Sequence, residues 1–108
     1  MKPTGYVVIL VTASGRDEAD KITAALLEKR KAACVSIMAP VVSRFWWKGK
    51  IDSADEVLLI IKTRQTAVSD VINTVKRNHS YSVPEIIVLP IVGGSEGYLN
   101  WIAGEVPE

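Results

Sequence analysis

At 108 residues the chain is long enough for one domain around one hydrophobic core. Thirteen basic against twelve acidic residues leave a net charge of +1, which argues against the broad basic surface of a nucleic-acid binder. The single cysteine, Cys34, excludes an internal disulfide and any Cys-x-x-Cys metal site, and no stretch approaches the roughly 20 apolar residues of a membrane span.

Met1 to Gly5 followed by Tyr6 to Val11 faintly imitates a secretory leader. The apolar run is shorter than the roughly 7–15 residues such a leader needs, so it reads as a first strand. Tyr6-Val7-Val8-Ile9-Leu10-Val11 is apolar throughout, which predicts a central strand covered on both faces. Ser14-Gly15-Arg16-Asp17 is a Ser-x-x-Asp helix start. Ala19, Ile22, Leu26 and Leu27 then recur at helical spacing, with charged residues between them and a basic end at Lys29 and Arg30.

Ala32 to Met38 alternates as a strand does, with Cys34, Ser36 and Met38 on one face. Pro40 cannot donate to a ladder, so it implies a bend, a bulge or an edge. The strand resumes at Val41 and reaches Phe45-Trp46-Trp47, then Lys48-Gly49-Lys50-Ile51. Gly49 marks a tight reversal. Asp52-Ser53-Ala54-Asp55 reads as exposed strand or loop, and Glu56 to Thr63 as the strongest strand in the chain. The two runs form one long hairpin with its aromatics near the tip. Adjacent strand residues point to opposite faces, so Trp46 and Trp47 cannot both enter one small core. Burying an indole removes roughly 150–250 Å² from water, on the order of 4–6 kcal/mol gross. Either a helix of the same chain or a partner subunit is expected to cover the second ring. The partner is favoured, because so long a hairpin overhangs its own domain.

A second helix is predicted near Thr66 to Asn78, with Ala67, Val68, Val71, Ile72 and Val75 as its apolar stripe. The loop from Asn78 to Pro84 follows, then a fourth strand over Glu85 to Val92, with Pro90 near an edge or bulge. Ser95 is the expected N-cap of a last helix carrying Tyr98, Leu99, Trp101 and Ile102, and Val106-Pro107-Glu108 reads as a frayed tail. The order β-α-β-β-α-β-α gives an α+β, ferredoxin-like split unit with an extra C-terminal helix. Its second sheet face is also apolar and needs a cover, for which a partner is the economical choice.

Ala33-Cys34-Val35, Trp46-Trp47-Lys48-Gly49-Lys50-Ile51, Lys62-Thr63, His79-x-Tyr81, Pro84-Glu85-Ile86, Leu89-Pro90-Ile91 and Tyr98-Leu99-x-Trp101 together resemble the CutA family of divalent-cation-tolerance proteins. The match covers nearly the whole chain, which implies a single CutA-like domain over residues 1–108. The resemblance implies a tight homotrimer like that of the PII signalling proteins, in which hairpins continue neighbouring sheets. It also implies a cytoplasmic location and a role in tolerance of copper and other divalent metals; animal relatives are linked to anchoring acetylcholinesterase. Two departures weaken any metal role carried over. Ser36 stands where the family usually has Asn, and His79-Ser80-Tyr81-Ser82 replaces His-Pro-Tyr-Glu. The missing proline is expected to loosen the loop, and the missing glutamate removes a possible ligand.

Cys34 reads either as a soft thiolate ligand for copper or as a small buried hydrophobe. His79 reads either as a metal ligand or as a helix C-terminal residue facing the dipole. A metal site needs several donors at once, so one subunit is expected to bind metal only weakly, and no cofactor is obligatory. A ligand cleft is expected from polar groups at strand ends: Lys62, Tyr81 and Glu85, with Lys48 or Trp46 from a neighbour. Lys62 there would hold a small anion, or else it is a solvated strand end. Glu56 and Asp55 read as edge charges that discourage further pairing, and Arg44 as a candidate interface ion-pair partner. Phe45, Trp46, Trp47 and Ile51 are the expected trimer contacts. No Gly-x-Ser-x-Gly, P-loop or His-Glu-x-x-His is present, so no enzyme is expected. A PII-like small-ligand sensor with intersubunit clefts is the alternative function.

Overall fold

The computed structural model describes residues 4–108. Met1 to Pro3, the start of the leader-like stretch, lie outside the described residues. The elements are β1 (Tyr6–Ala13), α1 (Arg16–Glu28), β2 (Cys34–Trp47), β3 (Lys50–Arg64), α2 (Val68–Arg77), β4 (Ile86–Pro90) and α3 (Glu96–Glu105), with a single 3₁₀ turn, Gln65–Ala67, leading into α2. The four strands form one antiparallel sheet in the order β2-β3-β1-β4. This is the ferredoxin-like arrangement, with the extra helix at the end.

One sheet face holds the core. Val7, Ile9, Val11 and Ala13 of β1 and Val57, Leu59 and Ile61 of β3 are buried with Ala19, Ile22 and Leu26 of α1 and Val71 and Val75 of α2. Both strand and helix periods therefore converge on a single layer. The opposite face carries Leu10, Ile60, Ile87, Leu89 and Met38, the last three of them exposed. α3 reaches toward that face, where the Tyr98 phenol lies beside the Cys34 sulfur.

β2 and β3 pair from Cys34↔Lys62 out to Trp47↔Lys50, so Asp52 to Asp55 is strand and not loop. Three steps along β2, Met38 to Val41, match two along β3, Leu58 to Glu56. The extra residue beside Pro40 is a bulge, as a residue lacking an N–H donor favours. Lys48 and Gly49 have φ of 51° and 78°, both positive as a type I′ turn requires. Pro90 pairs with Val7 on β4, an edge strand. β4 is shorter at both ends than the apolar run suggests.

Two predicted ends differ. α1 is capped by Gly15 without a side-chain bond and stops at Glu28, so Lys29 and Arg30 fall beyond its last turn. Arg30 at φ 54° turns the chain out of the helix. The tail is not frayed. Val106 is fully buried, and the Arg64 guanidinium donates to the carbonyls of Ala103 and Val106 at 3.1 Å each and to Glu108 Oε1 at 2.7 Å. Ser95 caps α3 as expected, its Oγ accepting from the Tyr98 N–H.

Candidate functional site

The hairpin arm, the head of β3 and the loop after α2 enclose a cleft of about 740 Å³. Arg44, Phe45, Trp47 and Asp52 line it from the arm, Glu56 from β3, and Tyr81, Val83 and Glu85 from the loop. Glu56 is its most buried charge, only 8% exposed, although it stands in a strand otherwise apolar toward its end. The Tyr81 hydroxyl donates to Glu56 Oε2 at 3.1 Å. Burial, that hydrogen bond and the charges of Glu56 and Glu18 raise the Tyr81 phenol above its ordinary range, so it stays a donor. Glu56 is therefore not an edge charge; Asp55 remains exposed.

The loop that presents Tyr81 is pinned from below. His79 Nδ1 accepts from the Tyr81 N–H at 3.1 Å, so its Nε2–H donates to the Thr12 carbonyl at 2.7 Å. The His79 side chain is wholly buried. Glu18 of α1 accepts from the Ser80 N–H at 2.6 Å through Oε1 and from the Ser14 N–H at 2.8 Å through Oε2. Burial pushes the Glu18 carboxyl up, but hydrogen bonds from Ser14 and Ser80 outweigh it and hold the pKa at about 2. The expectation of a loosened loop is thus corrected. A proline at 80 has no N–H, whereas Ser80 supplies the one Glu18 grips. Glu18 escaped notice in the sequence as one more charge on an exposed helix face. The short range from Ser14 to Glu18 at a helix start was its only signal.

The expected site residues divide into separate places. Tyr81 and Glu85 line the cleft. Trp47 of the same chain lines it too, and Trp46 pairs with Ile51 on the other face of the arm. Lys48 sits at the turn with its ammonium 6.0 Å from the Trp47 ring centroid. Lys62 is not in the cleft. It lies six residues from Glu56 along β3, about 20 Å away, and donates to Ser36 Oγ at 2.5 Å and to Cys34 Sγ at 3.7 Å. Burial and the adjacent Cys34 sulfur raise the Tyr98 phenol in that second cluster. Arg44 lines the cleft and makes no ion pair among the described residues. On the arm Trp46 is 73% exposed, Ile51 69% and Trp47 56%, and Phe45 is also exposed, so among the described residues no helix covers the indoles.

The described residues of one chain do not fit a resident metal. Among the described residues no group of three or more His, Cys, Asp or Glu side chains converges. Cys34 pairs with Lys62 and through it with Val8, four residues and about 13 Å along β1 from the Thr12 carbonyl that holds His79. Both His79 nitrogens are already engaged.

The family model described as "CutA1 divalent ion tolerance protein" matches residues 7–105. The chain belongs to the CutA1 divalent ion tolerance family. It is 46% identical to the divalent-cation tolerance protein CutA of Archaeoglobus fulgidus, over 87% of this chain and 91% of that one. The chloroplastic CutA of Arabidopsis thaliana is 43% identical over 94% of this chain. The chain spans a little over half the length of the curated plant CutA relatives, 56% and 58%. Among solved CutA structures, that of the Thermus thermophilus protein superposes with a TM-score of 0.92 at 37% identity, covering 94% of this chain and 99% of that one. CutA1 from a psychrotrophic Shewanella species does so with 0.94, at 37% identity over the full length of both. The CutA fold thus accounts for the four-stranded sheet and the three helices.

Proposed function

We propose that this chain is a non-enzymatic subunit of a cytoplasmic homotrimer that serves tolerance of, or response to, divalent metals such as copper. The observation that carries this reading is the arm. It projects from a molecule 44 Å in its longest dimension and leaves two indoles and Ile51 in water. Covering what remains exposed of Trp46, on the Ile51 face of the arm, is worth roughly 3–5 kcal/mol gross, which a second copy of the chain can supply while Phe45 and Trp47 face the cleft. The exposed Met38, Ile87 and Leu89 on the helix-free sheet face offer a further surface for the same copies. Metal binding in this scheme is weak and uses Cys34 and carboxylates brought together between subunits, since no single chain assembles a donor set.

Light scattering tests the assembly: the expected mass is three chains, and Trp46→Ser lowers the trimer fraction on dilution. A stable single chain with both indoles quenched by water overturns the reading. In Cu²⁺ titrations Cys34→Ala weakens binding, while His79→Ala acts through the loop and not through coordination. Unchanged isotherms in Cys34→Ala discard the thiol as a ligand. The cleft favours a second reading, a small-ligand sensor, because a buried carboxylate and a phenol face a cavity of about 740 Å³.

A further inference from the structure

We propose that the cleft binds a small organic ammonium ion with an apolar body, its charge against Glu56 and its body against Phe45, Trp47 and Val83. This rests on the small-ligand reading and names the ligand's chemical class. The volume of about 740 Å³ falls in the range that encloses small molecules.

Charge decides the class. Asp52, Glu56 and Glu85 line the cleft against a single cation, Arg44, and Lys62 lies outside it. A small anion, the ligand expected of Lys62, meets repulsion here. Glu56 is 8% exposed, yet only one of its oxygens has a hydrogen-bond partner among the described residues, the Tyr81 hydroxyl. A buried carboxylate with open acceptor capacity favours a charged donor over water. The aromatic wall adds to this. Phe45, Trp47 and Val83 line the cleft and take the ligand's apolar body, while Glu56 takes its charge. A metal ion suits the place less well, because the three carboxylates do not converge as a ligand group.

The test is calorimetric titration of the assembled protein with 2-phenylethylamine, 3-phenylpropionate and 2-phenylethanol. The amine is expected to bind at least about tenfold more tightly than the acid or the alcohol. Glu56→Gln keeps the acceptor for Tyr81 and should weaken the amine at least about tenfold; Lys62→Ala should leave it unchanged. Asp52→Asn, on the exposed arm, gives a second and smaller loss should Glu56→Gln fold poorly. Equal binding by Glu56→Gln and Asp52→Asn variants overturns the proposal. Binding of the acid without the amine overturns it too, but leaves a small-ligand site standing. Silence from all three probes up to about 10 mM overturns both.

Discussion

Glu18→Gln isolates the clamp under the loop. The side chain is 12% exposed and accepts two backbone N–H groups. Its carboxyl titrates at about 2 against an ordinary 4.5. At about 1.36 kcal/mol per pH unit between them, the ionised form contributes at most about 3 kcal/mol to folding. Partial solvent access lowers that to about 1–3 kcal/mol. The folded-state pKa is depressed, so the contribution is full above about 4.5 and is lost as pH falls toward about 2. Guanidinium unfolding at fixed protein concentration should therefore separate the two proteins at pH 7 and bring them together near pH 2. Asp70, held low by its hydrogen bond and charge pairing with Lys31, titrates in both and cancels in the comparison. A separation that persists unchanged to pH 2, or none at pH 7, would refute the reasoning.

Two further substitutions probe neighbouring links. Ser80→Pro restores the family's loop residue but deletes an N–H, so the Glu18 carboxyl should move up toward its ordinary value; carbon-detected titration of that side chain reads it. Arg64→Ala releases the Ala103 and Val106 carbonyls and Glu108, and should cost about 2 kcal/mol and speed amide exchange across α3. Unaltered exchange there would show that Val106 burial alone holds the tail.

The sheet and its helices were legible because their periods are clean. Ala19, Ile22 and Leu26 at helical spacing and Val7, Ile9 and Val11 at strand spacing are all buried. The cleft was half legible. Tyr81 and Glu85 stood out as polar groups beside a strand start, but Glu56 looked like an edge charge because its partner lies 25 residues away. No local pattern encodes that distance. Lys62 was assigned to the wrong cluster for a similar reason: pairing with Cys34 depends on strand register, which follows only from the completed sheet. Which indole of this chain faces the cleft turns on the bulge. A strand continued in step from Met38 would oppose Trp46, not Trp47, to Lys50.

That bulge gives the arm its own phase. Loss of Ala39 would be absorbed there, straightening β2 while Phe45 stays opposite Asp52 and Trp47 opposite Lys50. Loss of Ser43, beyond it, can be absorbed there too, but only by moving Val41 and Val42 one place along β3, which turns both to the opposite face. In either case the indoles keep their sides, and the error in length is confined to the stretch between the bulge and the place where it occurs.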